Sequence, residues 1–386
     1  MPFQPFELEY FQSQFERTVE YNLADSSVKC ASITALLSGE DPAELTSLQL
    51  YYPEVNGTAL LRQRIAALYP NATPANVLVT VGAAQANWLA CETLLEPGDE
   101  VIVVSPGYRQ VWGLAKNAGC RVQEVQLHPE NGWRLNTEEL ERLAGPRTKL
   151  ISIVNPNNPT GSILSSDEMG RIAAICAQYN TWLHADEVYC GTELQSPETP
   201  SFWGIYDRVI CVNSLSKAYG LAGLRIGWAV ASPQMIEELW RRHEYAVIAA
   251  SGPGMKLAEI ALNPEKRRAL LDRQRNLSRE GHRILGDWVR AQNGVFSLGA
   301  AVATSIAFVR CNLDIGSVEL ANHIRRTASV LVAPGAYLGT EHHLRITVGY
   351  EPEKVKLALE RIAGAITDLP SYSAALKKPA AVLSSR

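Results

Sequence analysis

The chain has 386 residues, of which 46% are hydrophobic and 20% are charged, a composition typical of a globular protein with room for two domains. Its formal charge of −4 gives no reason to expect nucleic acid or an anionic membrane as a partner. No segment approaches the roughly 20 apolar residues of a membrane helix, and the polar, acidic amino terminus is unlike a secretory signal.

The seven cysteines include no C-x-x-C pair, so neither a zinc site nor a disulfide framework is indicated. We therefore expect no metal, and we interpret the cysteines as buried free thiols. Free thiols are typical of a reducing compartment, which predicts a cytoplasmic protein.

Short apolar runs alternate with amphipathic segments through the middle of the chain. This alternation predicts a largely parallel sheet that is covered by helices on both faces. Helices are predicted over 83–95 and 166–179. The strands are predicted over 76–81, 100–105, 149–154, 181–185 and 208–213.

The pattern changes after about residue 265, where a long helix is followed by strands over 302–309, 329–333 and 343–350. This order of elements predicts a smaller α+β domain, completed by the amino-terminal segment. The predicted division is a large domain over 45–265 and a small domain over 1–44 and 266–386.

Polar and aromatic side chains follow each strand of the predicted parallel sheet. Ligands of open parallel sheets bind beyond the carboxyl ends of the strands, so these residues should meet at one edge. The first strand is followed by a helix whose opening amides can bind an anion, and the absence of G-x-G-x-x-G there disfavours a dinucleotide. In chain order the residues are Gly82, Ala83 and Ala84, then Tyr108, Asn158, Asp186 with Tyr189, and finally Ser214, Ser216 and Lys217.

This set of residues suits pyridoxal 5′-phosphate. The cofactor needs a lysine for a Schiff base and an acidic partner for its pyridinium nitrogen, here Lys217 and Asp186. Its phosphate needs a group of anion-binding donors, and its ring needs a flat contact. Each residue alone is more simply a turn, a helix cap or half of an ion pair. Their joint placement favours the cofactor.

Four motifs, in this order along the chain, resemble those of the class I and II aminotransferases, pyridoxal-phosphate enzymes with the aspartate-aminotransferase fold. The resemblance extends over nearly the whole chain and implies an α/β enzyme of fold type I. The motifs are "NPNNPTG" (155–161), "DEVY" (186–189), "SLSKAYGLAGLRIGW" (214–228) and "LRITVG" (344–349).

The resemblance also implies a role for each matching residue. Lys217 would form the Schiff base and shuttle the proton, and Asp186 would pair with the ring nitrogen. Asn158 and Tyr189 would hydrogen-bond the ring hydroxyl oxygen, while Tyr108 would stack on the ring. The phosphate would be held by Gly82, Ala83, Ala84, Ser214, Ser216 and Arg225.

Three further assignments concern the substrate and a second subunit. Arg345 matches the arginine that binds the substrate α-carboxylate, which its guanidinium can do bidentately. Ser26 lies in "NLADSSV" (22–28), which corresponds to the family's substrate-contacting stretch, and Asn158 is assigned to the substrate as well. Tyr52 matches a tyrosine that reaches the phosphate of the neighbouring subunit, which implies a homodimer with shared sites.

The leading hypothesis is transfer of an amino group from an L-amino acid to a 2-oxo acid. "GAAQANW" (82–88) is close to the "GAxEAN" pattern of capreomycidine-synthase-like members, although Gln85 replaces the acid. The alternative is therefore elimination, replacement or cyclisation at Cβ or Cγ of an amino acid such as a hydroxyarginine. A binding protein without activity is disfavoured, because Lys217, Asp186 and Arg345 are all present.

Overall fold

The computed structural model describes residues 3–367 and 369. Its thirteen α-helices in this range are α1 (Glu7–Phe15), α2 (Ile33–Leu36), α3 (Pro42–Thr46), α4 (Ala59–Ala66), α5 (Gly82–Leu94), α6 (Gln110–Asn117), α7 (Thr137–Leu143), α8 (Ser166–Tyr179), α9 (Pro233–Ala246), α10 (Gly252–Ala261), α11 (Pro264–Ala291), α12 (Ser317–Ala328) and α13 (Pro352–Thr367). Short 3₁₀ turns cover Pro74–Asn76, Pro129–Asn131, Ala222–Leu224 and Gly335–Leu338.

The strands in the same range form three sheets. They are β1 (Tyr21–Asn22), β2 (Val77–Thr80), β3 (Glu100–Ser105), β4 (Arg121–Gln126), β5 (Thr148–Val154), β6 (Trp182–Asp186), β7 (Val209–Ser214), β8 (Gly227–Val230), β9 (Phe296–Ser297), β10 (Ile306–Cys311), β11 (Val330–Leu331), β12 (Ala333–Pro334) and β13 (His343–Thr347).

The central sheet has seven strands in the order β2-β8-β7-β6-β5-β3-β4. β8 runs antiparallel to β2 and β7, and every other pair is parallel. Successive residues of a strand face opposite sides of a sheet. Ile210 and Val212 accordingly pack with α5, α6 and α9, whereas Val209 and Cys211 pack in the core that includes α8. The sheet is apolar on both faces because helices cover both.

The predicted α/β fold with a mostly parallel, doubly covered sheet is confirmed. All five predicted strands of the large domain are present as β2, β3, β5, β6 and β7, and both predicted helices are α5 and α8. The sequence did not predict β4 or β8. β4 lies at the edge of the sheet, and most of its side chains are partly exposed. Its sequence, "RVQEVQ", therefore lacks the apolar run that is typical of the buried strands.

A second, four-stranded antiparallel sheet has the order β12-β13-β10-β9. The long α11 packs against α13, which also contacts α12. Arg345 lies in the middle of β13, opposite Phe308 of β10. This sheet therefore carries the predicted carboxylate-binding arginine.

The amino-terminal segment joins this second sheet region through backbone hydrogen bonds. β1 pairs in parallel with β11. The Leu23 N–H donates to Leu331 O at 2.8 Å, and the Thr347 N–H donates to Leu23 O at 2.8 Å. The Lys29 N–H donates to Gly349 O at 2.8 Å. These bonds hold residues 21–29 next to Arg345, although the segment and the arginine are more than 300 positions apart in the chain.

The domain boundaries at 44/45 and 265/266 stay predictions, and residues 370–386 of the small domain lie outside the described residues. Within the described part of the chain, no helix is both long and apolar enough to cross a membrane. The seven cysteines are free thiols. The prediction that all are buried is wrong for Cys30, which is exposed, while Cys120 and Cys190 are half-buried.

Replacing each of two glycines of α11 by alanine should change the stability of the protein in opposite directions. A Cβ at Gly281 would overlap the Val348 carbonyl, whereas a Cβ at Gly286 would meet only the Arg290 guanidinium at 3.5 Å. We expect Gly281→Ala to lower the free energy of unfolding by about 1–3 kcal/mol through overpacking. Gly286→Ala should instead raise it by up to about 1 kcal/mol, the helix-propensity gain. Urea unfolding of both variants checks this, and a stabilised Gly281→Ala would contradict the packing.

Candidate active site

A cavity of about 450 Å³ lies where the carboxyl ends of the central strands meet the amino-terminal segment. It brings together most of the residues predicted from the sequence. The predicted residues on its wall are Ser26, Ala83, Ala84, Tyr108, Asn158, Asp186, Tyr189, Ser214, Ser216, Lys217 and Arg225.

Lys217 follows β7 and directs its amine into the cavity, where Nζ donates a hydrogen bond to Ser26 Oγ at 2.9 Å. Ser26 is only 8% exposed. Because the Ser26 hydroxyl is neutral, this hydrogen bond orients the Lys217 amine without forming an ion pair. An amine held this way can react once its proton is removed.

Asp186 ends β6 with its carboxylate buried at the cavity wall. Oδ2 accepts a hydrogen bond from Asn87 Nδ2 at 3.0 Å, and Oδ1 accepts one from the Val188 N–H at 3.2 Å. Burial raises the pKa of this carboxyl, while the two hydrogen bonds and the nearby Lys217 charge oppose the rise. A cationic partner within the cavity would favour the ionised form further.

Asn87 connects Asp186 to a buried histidine. His184 Nε2 lies 2.9 Å from Asn87 Oδ1, and His184 Nδ1 lies 3.0 Å from Ser152 Oγ. Since the Asn87 amide nitrogen faces Asp186, its oxygen must be the acceptor, so Nε2 carries the proton and Nδ1 accepts from Ser152. Burial lowers the pKa of His184 to about 4, which keeps the ring neutral.

The amino terminus of α5 provides a set of anion-binding groups. Ala83 and Ala84 line the cavity in its first turn, and no side chain caps the helix. Uncapped first-turn N–H groups and the helix dipole favour an anion. Gly82, at φ 73°, lies against the Arg225 guanidinium, and a Cβ there would come within 2.5 Å of Arg225 Nη2. The glycine is therefore required for this close approach.

Arg345 lies behind Asn158 rather than on the cavity wall itself. It is 1% exposed, and its guanidinium donates to Asn158 Oδ1 at 3.1 Å and to Ala24 O at 2.6 Å. Its Nε has no partner within the described residues. The Tyr189 hydroxyl, 2% exposed and on the wall, also lacks one there. Unpartnered buried polar groups at a cavity are typical of a site completed by a ligand.

Tyr108 forms part of the wall and donates its hydroxyl to Glu9 Oε1 at 3.0 Å. Tyr52, by contrast, is not on this chain's cavity and is 79% exposed. Its predicted role requires a second subunit, and the geometry of one chain does not test it.

The sequence pattern did not predict several residues of the cavity wall. Asn87 follows Ala83 and Ala84 by one helical turn, a spacing that could have indicated it. The helix α1 was also missed, although Leu8, Phe11 and Phe15 recur at helical spacing. The missed wall residues are Glu9, Gln12, Ser13, Glu16, Asp25, Ser27, Asn87, Gln110, Val154, Val188 and Ala222.

The cavity fits pyridoxal 5′-phosphate at each of the cofactor's functional groups. Lys217 offers an amine for the aldehyde, and the buried Asp186 carboxylate suits the ring nitrogen. The unpartnered Tyr189 hydroxyl suits the ring oxygen, and the α5 amino terminus with Arg225 suits the phosphate. In the described residues, no group of three or more His, Cys, Asp or Glu side chains could hold a metal ion.

Comparison with known proteins agrees with this chemistry. The family described as aminotransferase class I and II matches residues 21–362. Capreomycidine synthase of Streptomyces vinaceus is 29% identical over 75% of this chain and 74% of that protein. Arginine–pyruvate transaminase of Pseudomonas aeruginosa is 33% identical over 54% of this chain and 53% of its own length. A crystal structure of a PLP-dependent aminotransferase from Streptococcus suis superimposes with a TM-score of 0.89 at 29% identity, covering 95% of this chain and 98% of that one.

The neutral His184 should make stability depend on pH. Because its pKa is about 4 when folded and about 6.5 when unfolded, stability is full above pH 6.5 and is lost as the pH falls toward 4. The loss by pH 4 should be about 3 kcal/mol. The variant His184→Gln keeps a donor for Asn87 but cannot take up this proton. Between pH 6.5 and 4 its free energy of unfolding, measured with urea, should therefore fall by about 3 kcal/mol less than that of the wild-type protein.

The exposed His128 supplies the control for this measurement. His128→Gln should keep the wild-type dependence on pH. Equal pH dependence of the wild-type protein and His184→Gln would contradict a neutral buried His184.

Proposed function

The chain belongs to the aminotransferase class I and II family and uses pyridoxal 5′-phosphate, and from this premise we propose that it transfers the amino group of an L-amino acid to a 2-oxo acid. One observation carries the proposal. The Lys217 amine and the Asp186 carboxylate share a cavity, and the Arg345 guanidinium lies one hydrogen bond behind its wall at Asn158. Amine, acid and carboxylate-binding fork are the groups that amino transfer requires.

The proposed cofactor contacts follow from these positions. The Ala83 and Ala84 amides, with Gly82 allowing the close approach of Arg225, hold the phosphate together with Ser214 and Ser216. Asp186 would face the ring nitrogen and Tyr108 would contact the ring. Asn158 and Tyr189 would donate to the ring oxygen, and the Lys217 amine would hold the cofactor through its aldehyde. When bound, the cofactor supplies an aldehyde that condenses with amines and a ring that accepts an electron pair.

The remaining steps belong to the chain's own residues. Arg345 binds the substrate α-carboxylate bidentately, and this orients the Cα–H bond toward the amine. Lys217 Nζ accepts the Cα proton, and its hydrogen bond to Ser26 Oγ at 2.9 Å holds it in place until the substrate arrives. Asp186, whose carboxylate accepts a hydrogen bond from Asn87, would stabilise positive charge on the ring side.

The half-reaction tests this proposal directly. Adding an amino acid alone to the holoenzyme should convert the aldehyde absorbance to that of the pyridoxamine form, and a 2-oxo acid should reverse it. A broad panel is needed, and it should include arginine because one relative is named arginine–pyruvate transaminase. Lys217→Ala should abolish the conversion, since no other amine takes the Cα proton. Lys356→Ala, at an exposed salt bridge on α13, should leave it intact.

The same experiment addresses a second candidate function. The similarity to capreomycidine synthase favours elimination, replacement or cyclisation at Cβ or Cγ, with a hydroxyarginine as the substrate. That reaction needs no amino acceptor and its product retains the nitrogen. Turnover without a 2-oxo acid, seen by mass spectrometry of the products, would support this reaction. No conversion with any amino acid would overturn both.

We further propose that the enzyme is a homodimer. Leu50, Tyr51 and Tyr52 are 73–84% exposed, and Tyr245 is 95% exposed. Pro53, which follows this exposed stretch, lies near the start of α10, since a Cβ at Gly252 would lie 3.9 Å from Pro53. A concentrated apolar and aromatic surface of this kind is typical of a protein interface. A second copy seated here would bring Tyr52 to the neighbouring phosphate.

Sedimentation velocity tests the dimer. The wild-type protein should sediment at twice the chain mass, and Leu50→Glu should yield monomers because it places a charge in the apolar interface. Tyr52→Phe should keep the dimer but weaken binding of pyridoxal 5′-phosphate several-fold, as expected for loss of a hydrogen bond of about 1 kcal/mol. Tyr51→Phe is the matched control and should bind normally. A monomeric wild-type protein would exclude the shared site.

We also propose a cytoplasmic location. Seven free thiols, with Cys30 exposed, suit a reducing compartment. Fractionation of cells that express the full chain is the measurement, and recovery of the protein outside the cytoplasm would exclude this assignment.

A further inference from the structure

We propose that the amino acid accepted by this site carries a cationic side chain, a guanidinium or an ammonium, and that Asp25 and Glu16 select it. The inference rests on the proposed function, because it assumes an amino acid whose α-carboxylate is bound by Arg345. It adds the chemical class of the side chain. The selecting residues lie on the part of the cavity wall that the amino-terminal segment contributes.

The amino-terminal part of the wall is acidic or neutral throughout. In the described residues, the segment before Val28 contributes no Lys, Arg or His side chain to the cavity. The two cations on the wall, Lys217 and Arg225, come from the segment that follows β7 and are assigned to the cofactor, and the Lys217 amine reaches Ser26 of the amino-terminal segment. The amino-terminal wall residues are Glu9, Gln12, Ser13, Glu16, Asp25, Ser26 and Ser27.

α1 presents its polar residues to the cavity as one helical face. Positions 9, 12, 13 and 16 follow the i, i+3, i+4, i+7 spacing, which places them on the same side of a helix. The opposite face is fixed by packing, since Leu8 is fully buried and the Phe11 ring lies 5.7 Å from that of Tyr337. Glu16 is the carboxyl-terminal cap of α1, where the helix dipole adds partial negative charge.

Two of the three carboxylates on this wall, those of Glu9 and Glu16, have little positive charge nearby, whereas Asp25 lies within reach of the Lys217 and Arg345 charges. In the described residues, Glu9 forms no salt bridge and accepts only the Tyr108 hydroxyl. Glu16 has Arg17 at 3.7 Å, a side chain that is 91% exposed and therefore a weak partner. Asp25 is half-buried. Burial raises its pKa, yet the Lys217 charge, hydrogen bonds from Ser27 and the Arg345 charge lower the pKa overall. Asp25 is therefore negative at neutral pH.

Independent observations show that the cavity is built for a ligand. The Tyr189 hydroxyl is buried, faces the cavity and has no partner among the described residues. The buried Arg345 likewise has its Nε unsatisfied. These groups bind the cofactor and the α-carboxylate in the proposed function. The other sides of the cavity are assigned to the cofactor and to the substrate α-carboxylate. The acidic wall is therefore left to face the side chain of the substrate.

Electrostatics decides between substrate classes at such a wall. A dicarboxylic amino acid would place its second carboxylate beside the half-buried Asp25 and near the exposed Glu16. Like charges repel there, most strongly at Asp25, where less water screens them. An apolar side chain would dehydrate the carboxylates without compensation. A guanidinium or ammonium satisfies them with charge-assisted hydrogen bonds. The wall therefore favours cationic side chains over both alternatives.

The test compares amino acids of similar length in the half-reaction of the holoenzyme. The specificity constants for L-arginine or L-lysine should exceed that of L-norleucine at least 100-fold, and L-glutamate should be slowest. Asp25→Asn and Glu16→Gln should each reduce the arginine-to-norleucine ratio at least tenfold. Glu7→Gln changes an acid of the same helix that is not on the wall, and it should leave the ratio unchanged.

A binding measurement separates recognition from turnover. Calorimetric titration of the Lys217→Ala protein, which lacks the proton acceptor, should show L-arginine binding at least tenfold more tightly than L-norleucine. The preference should weaken as salt is added.

Faster turnover of glutamate or norleucine would overturn the cationic class and leave amino transfer intact. Ratios unchanged in both acid variants would exclude Asp25 and Glu16 as the selecting residues. A protein that converts no amino acid at all would overturn the proposed function, and a preference for arginine in calorimetry would then still support the acidic wall.

Discussion

The burial of the Asp186 carboxylate is the constraint on which the rest of the site depends. A carboxylate removed from water is costly unless hydrogen bonds compensate for its lost hydration. Asn87 and the Val188 N–H provide two of these bonds. Asn87 can present its nitrogen to the carboxylate because the neutral His184 ring donates to its oxygen, and Ser152 in turn donates to His184. Three elements, β5, β6 and α5, are tied together by this chain of side chains.

A second feature is the return of the amino-terminal segment to the carboxyl-terminal sheet. Backbone bonds from Leu23 to Leu331 and Thr347 fix residues 21–29 beside β13. The Ala24 carbonyl then accepts from the Arg345 guanidinium, and Ser26 accepts from the Lys217 amine. The segment therefore links the group that would bind the substrate carboxylate to the group that would take its proton. The chemistry of the site depends on this closure as much as on the central sheet.

Charge is distributed unevenly around the cavity. Its cations, Lys217 and Arg225, come from the side of the central sheet, and the acids Glu9, Glu16 and Asp25 come from the amino-terminal segment. In the proposed assignment, the phosphate meets the positive side and the substrate side chain meets the negative side. Such a separation orients a ligand that carries both charges, because Coulomb forces act more strongly in a partly dehydrated cavity than in water. The helix dipoles of α5 and α1 have the matching signs.

The parallel sheet, the cofactor and the family were predictable from the pattern of residues along the chain. The strands are apolar runs with local periodicity, and Asn158, Asp186 and Lys217 each follow a strand within a few positions, so their shared edge could be inferred from the topology of parallel sheets. Three contacts became visible only in the folded chain: His184 supports Asp186 through Asn87, Ser26 accepts a hydrogen bond from the Lys217 amine, and α1 places acids on the wall. These contacts join residues about 100 to 200 positions apart, and hydrogen-bond geometry between such distant segments exists only once packing has brought them together.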